Sequence, residues 1–109
     1  MDVTVADAPE RERFEARLPD GTLVGEAYYT ARDDVLVFTH TEVPPEHEGQ
    51  GIAAHLVRFA LESARARHLR VIALCPYVRA FLRRHEDEFM DLVGHTPTAP
   101  DAAVAVPEE

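Results

Sequence analysis

The chain contains no lysine, no tryptophan and a single cysteine, and no apolar run in it approaches the length of a membrane span. Each absence excludes something. One thiol cannot close an internal disulfide, and no Cys/His spacing matches a zinc site, so neither staple supports the fold. A membrane helix needs about 20 consecutive apolar residues, and none is present. Cationic excess is also missing: 20 acids against 11 bases leave a net charge of −9, which argues against binding a nucleic-acid backbone. Residues Met1 to Glu12 are polar and acidic, without the basic start and apolar block of a signal peptide. With the lone cysteine, these features predict a cytoplasmic protein without membrane or nucleic-acid partners, as a monomer or small homo-oligomer. The acidic balance is compatible with a cationic or amine substrate.

What is present suits one small core. With 109 residues, 46% of them apolar, the chain has enough hydrophobic surface for a single globular domain. The segment Arg13 to Leu18 alternates and reads as a strand, Pro19-Asp20-Gly21-Thr22 as a turn, and Leu23 to Thr30 as the returning strand. After the polar turn Ala31 to Asp34, Val35 to Val43 reads as a third, interior strand. Pro44 and Pro45 end it. Ile52, Leu56 and Ala60 then recur at helical spacing, beside Ala53, Val57, Leu61 and Ala64, with Arg58, Glu62, Arg65 and Arg67 on the wet side. Arg70 to Cys75 is a short buried strand, and Pro76 opens a second helix through Arg84. Glu88 to Val93 is too short to assign.

The predicted fold is therefore α/β in the α+β sense. It is a mixed sheet, an antiparallel meander of three strands plus one parallel strand reached through a right-handed βαβ crossover. Residues 1–94 form the domain, and residues 95–109, rich in proline and alanine, form a tail. Ligands of open α/β sheets gather outside the carboxyl ends of the strands. That edge collects Glu42, Val43, the Gly49-Gln50-Gly51 turn and Cys75.

The glycine turn opens a helix, where backbone N–H groups lack partners and the helix dipole favours an anion. Gly49-Gln50-Gly51-Ile52-Ala53-Ala54 matches the dinucleotide fingerprint letter for letter. Its context does not. The connection from the preceding strand is long, the next strand ends in Cys75 rather than an acid, and a meander precedes it. No Walker lysine follows either.

Glu48-Gly49-Gln50-Gly51-Ile52-Ala53 resembles the acetyl-coenzyme A loop of the GNAT superfamily of N-acetyltransferases, which has the form Gln/Arg-x-x-Gly-x-Gly/Ala. His40-Thr41-Glu42-Val43, this loop, and Cys75-Pro76-Tyr77-Val78, in that order, resemble the minimal, single-domain YjdJ-type subgroup, over roughly Phe14 to Val93. The resemblance implies a GNAT-like fold in which the strands before the loop and after the helix splay apart. The pantetheine arm would bond to backbone near Glu42 and Val43. The pyrophosphate would sit on N–H groups of Glu48, Gly49, Gln50, Gly51, Ile52 and Ala53, with Cys75 and Tyr77 lining the acetyl end. Two departures stand out. Glu48, with Glu46 nearby, replaces the usual Gln or Arg. The tyrosine that larger relatives use as general acid has Phe81 in its region, with Tyr77 nearer the strand end.

Acetyl transfer to an amine needs a base, a donor for the carbonyl oxygen, and a proton for the leaving thiolate. Glu42 and His40 share a strand face and either can serve as base. Cys75 is a nucleophile at a helix start or a lining residue. Arg83, Arg84 and His85 form a basic cluster that meets a coenzyme phosphate or is simply a solvated helix end. The expected function is acetyl-coenzyme A binding with N-acetyl transfer to a small or peptidyl amine. The alternative is a non-catalytic acyl-coenzyme A binding or interaction module.

Overall fold

A computed structural model describes residues 2–93. Five strands form one sheet in the order β1-β2-β3-β4-β5. They are β1 (Thr4–Ala8), β2 (Arg13–Arg17), β3 (Leu23–Arg32), β4 (Val35–Glu42) and β5 (Arg70–Ala73). The first four pair antiparallel, and β5 pairs parallel with β4. Three helices follow the crossover pattern: α1 (Ile52–Ala66), α2 (Pro76–Arg84) and α3 (Glu86–Val93). The mixed sheet and crossover are as the sequence predicts.

The meander has four strands, not three. The polar, acidic stretch Met1 to Glu12, to which the sequence pattern assigns no strand, contains β1, whose Thr4 to Ala8 pair with Arg17 to Arg13. Only Val5 and Ala8 of this strand are buried, and Asp7 interrupts its apolar pattern. Pairing on one edge and two polar contacts hold it. Asp7 accepts a hydrogen bond from the Tyr29 hydroxyl at 2.6 Å and pairs with Arg67 at 3.2 Å. α3 is the second element that the sequence left unassigned. Phe89 and Leu92 are buried, and Phe89 has non-helical backbone angles (φ −122°, ψ 16°), so the apolar spacing is irregular. β5 is shorter than expected and ends at Ala73. The predicted tail, residues 95–109, lies outside the described residues.

The sheet is dry on one face and wet on the other, as antiparallel sheets allow. Phe14, Ala16, Ala27, Tyr29, Leu36 and Phe38 are buried with Ile52, Leu56, Val57, Ala60 and Leu61 of α1. Arg58 and Arg65 of α1 were expected to be merely solvated. They instead clamp α3: Arg58 reaches Glu88 at 2.7 Å and Arg65 reaches Asp91 at 2.7 Å. Their guanidinium groups also lie over the Phe89 ring, at 5.7 and 5.1 Å from its centroid.

On the wet face, two rows cross the strands. Arg13, Tyr28 and His40 stand opposite one another, and so do Glu15, Glu26 and Glu42. Three like charges in a row repel unless matched. Glu15 takes Arg13 at 2.7 Å, Arg17 at 2.9 Å and Arg11 at 3.0 Å, while Glu26 takes Arg13 at 2.8 Å. Burial works against the Glu15 charge, but hydrogen bonds from Arg13, Arg17 and Arg11 outweigh it and hold its carboxyl down at about 2.

Because the folded state lowers this pKa, the stabilisation is present above the unfolded value, about 4.3, and is lost as pH falls toward 2. Urea midpoints measured from pH 6 to pH 2 should therefore fall across that window in the native chain. Glu15→Gln should cost on the order of 2 kcal/mol at neutral pH and flatten the dependence.

Candidate functional site

The site begins where β4 and β5 stop pairing. Their ladder covers only Val35 to Phe38 against Arg70 to Ala73. The Phe38 carbonyl then accepts from the N–H groups of both Leu74 (2.9 Å) and Cys75 (3.0 Å). Beyond it, β4 bonds to β3 alone, and its other edge is left open. The same point carries a bulge: Tyr29 faces Phe38 and Tyr28 faces His40, so Thr39 is extra. An extra residue inverts the alternation of everything after it. His40 and Glu42 therefore share the solvent face, whereas Thr41 and Val43 face the helices.

That side holds a groove of about 370 Å³. Thr41 and Val43 form one wall, and the loop residues His47, Glu48, Gly49 and Gly51 form another. Ile52, Ala53 and Ala54 of α1 and Tyr77 of α2 complete it. Gly49 (φ +83°) and Gly51 (φ +80°) adopt left-handed angles that favour glycine. Gly51 is the α1 cap and supplies no side-chain hydrogen bond. The Glu48 N–H is taken by the Pro45 carbonyl at 3.2 Å, and the first intrahelical bond runs from His55 to Gly51 at 3.0 Å. Between them, the N–H groups from Gly49 through Ala54 donate to nothing among the described residues. A run of unpaired donors at the positive end of a 15-residue helix favours an anion electrostatically.

Side-chain charge adds little attraction there. Glu48 lines the groove, while Glu46 does not. Among the lining residues only His47 can become cationic, and its Nδ1 stands 3.4 Å from Gln50 Oε1. Gln50 lies off the groove, in a smaller cleft with Val3 and His55. The Tyr77 phenol is pushed up by burial, against the opposing pull of Arg84, so it stays a proton donor at neutral pH.

The other predicted residues separate into two places. His40 and Glu42 stand together on the solvent face, Nε2 to Oε1 at 3.9 Å, each about 61% exposed. His40 also stacks on Tyr28, with ring centroids 5.9 Å apart. Glu42 has no arginine partner among the described residues, unlike Glu15 and Glu26 in its row. Cys75 is buried, caps α2 and lies behind the groove wall, with its Sγ 3.4 Å from Thr41 Oγ1. Thr41, His47 and Ala54 are lining residues that sequence reasoning missed. The inversion at Thr39 places Thr41, and no composition signal marks a bulge.

A family model described as GCN5-related N-acetyl-transferase matches residues 13–92. The chain belongs to this family. Protein NATD1 from Bos taurus is 39% identical over 46 residues, a match spanning 42% of this chain and 41% of that relative. The solution structure of a GCN5-like protein from Staphylococcus aureus is 26% identical and superposes with a TM-score of 0.62, covering 82% of this chain and 85% of that one. A ribosomal-protein-alanine N-acetyltransferase from Brucella melitensis shares the fold, with a TM-score of 0.51 at 23% identity over 89% of this chain and 69% of that one. The parting strands, the glycine loop and the free N–H groups all lie within the stretch that the family model matches. No helix among the described residues is long and apolar enough to cross a membrane.

The position of Cys75 is directly measurable. Its thiol should react with a disulfide reagent at least about 100-fold more slowly in the folded chain than in denaturant, because burial requires an opening step first. Thr41→Ala, which removes the contact between the thiol and the groove, should speed the folded-state reaction.

Proposed function

We propose that the chain binds acetyl-coenzyme A in this groove and transfers the acetyl group to the nitrogen of a small or peptidyl amine, as a minimal, single-domain YjdJ-type member of the family. The observation that carries the reading is the run of unpaired N–H groups from Gly49 through Ala54 beside the open edge of β4. The residues fit a coenzyme. The loop N–H groups donate to the diphosphate oxygens without a side chain intervening, since the two left-handed glycines leave the space beside them open. The open β4 edge at Thr41 to Val43 offers backbone groups to an amide-bearing arm. Val43, Ile52, Ala53 and Ala54 supply apolar wall. When bound, acetyl-coenzyme A supplies the activated acetyl group.

The chain's own residues then divide the work. The acceptor approaches from the solvent face, where Glu42 is the carboxylate left unmatched by arginine. Glu42, directly or through His40, takes the proton from the amine as the C–N bond forms. Tyr77, a phenol that is protonated at neutral pH and that burial pushes further up, gives a proton to the sulfur as the C–S bond breaks. Cys75 keeps the groove wall in place through Thr41, a packing role that matches its burial. A cytoplasmic location follows from the same reading.

The decisive experiment is release of coenzyme thiol from acetyl-coenzyme A with a panel of amines. Amine-dependent release that falls about 100-fold in Glu42→Gln, with binding unchanged, is expected. Calorimetric binding without any release would instead make the chain a binding module. A stable acetyl adduct, absent in Cys75→Ala and removed by hydroxylamine, would make Cys75 the nucleophile. The lack of lysine keeps that mass measurement clean.

Glu48 faces the groove as a like charge to the diphosphate. Glu48→Arg should tighten coenzyme binding by about 1 kcal/mol at low ionic strength, less as salt rises. Titration calorimetry at two salt concentrations checks both the sign and the screening.

A further inference from the structure

We infer that Gly25 is a positioning residue: its missing side chain sets how closely the first turn of α1, and with it the phosphate-binding loop, sits on the sheet. The inference rests on the coenzyme reading above. Gly25 lies in β3, opposite Ala16 of β2. Its φ is not among the positive values, so its backbone conformation is open to any residue. What it provides is space. A Cβ at Gly25 would stand 3.2 Å from Ile52 Cγ2, 3.4 Å from Leu56 Cδ2 and 3.6 Å from Ala16 Cβ.

The first of these contacts is the tight one, and its partner cannot easily yield. Cγ2 is attached to the branched Cβ of Ile52, whose rotamer is stiff in a helix, so the pressure passes to the helix backbone. Leu56, one turn later, presents a δ carbon that can turn aside. An added methyl therefore lifts the start of α1 and leaves the rest of the helix seated. Ile52 follows Gly51 directly, is 2% exposed, and carries one of the unpaired N–H groups. Hydrogen bonds to a bound anion weaken with small errors in distance and angle, and several donors would be displaced together.

Coenzyme A titrated into the full chain by calorimetry tests this. Gly25→Ala should stay folded with little change in melting temperature, because the entropy gained by replacing a strand glycine offsets the tight contact. Its Kd for coenzyme A should rise about tenfold. In an Ile52→Leu background, which removes the branch that the methyl meets, the same Gly25→Ala change should alter Kd less than about twofold. Without ligand, the amide NMR signals of Gly49 to Ala54 should move in Gly25→Ala and not when the change is made in Ile52→Leu. A folded Gly25→Ala with unchanged Kd and unmoved loop amides overturns the inference. So does an equal loss in both backgrounds, or a Gly25→Ala chain that fails to fold, since the glycine would then serve the core alone. A native chain that does not bind coenzyme A overturns the coenzyme reading instead, and the loop amides still decide the positioning.

Discussion

The groove of this domain exists because one ladder ends early. The parallel pairing of β4 and β5 stops at Phe38 and Ala73, where one carbonyl takes two N–H groups and closes the ladder. A strand edge opened this way costs hydrogen bonds unless water or a ligand supplies them. The neighbouring bulge at Thr39 has the complementary effect. It sends Thr41 and Val43 to the helix side and leaves His40 and Glu42 on the solvent face. A groove and a carboxylate thus stand on opposite sides of the same short stretch of backbone.

The domain's charges serve mainly its own scaffold. Arg11, Arg13 and Arg17 neutralise the wet face through Glu15 and Glu26, Arg58 and Arg65 hold α3, and Arg67 holds β1. The groove receives no arginine, and Glu48 faces it. Attraction for an anion comes from oriented peptide groups at the start of α1, whose geometry is set by how the helix sits on the sheet. This explains why a small glycine under Ile52 matters to a site that it does not touch.

The packing is correspondingly one-sided. α1 covers the dry face of the sheet, and Phe81 and Phe89 link α2 and α3, with ring centroids 6.1 Å apart. Small residues at Ala16, Gly25, Ala60 and Ala64 bring helix and strands close, and Phe14, Phe38 and Tyr29 fill the wider space beside them. Close packing of this kind transmits small displacements rather than absorbing them.

The order of elements from Arg13 to Arg84 was legible in the sequence because each carries its own period. Alternation marks β2 and β3, Ile52, Leu56 and Ala60 mark α1, and prolines mark the end of β4 and the start of α2. The glycine turn before α1 was legible too, since two glycines at a helix start are a local statement about backbone angles. β1 and α3 were not, because their stability comes from partners distant in sequence, Tyr29 and Arg67 for one and Arg58 and Arg65 for the other. Nor did the sequence say which face His40, Thr41, Glu42 and Cys75 would meet. A single unpaired residue at Thr39 decides that, and a bulge is a property of two strands in register rather than of either strand alone.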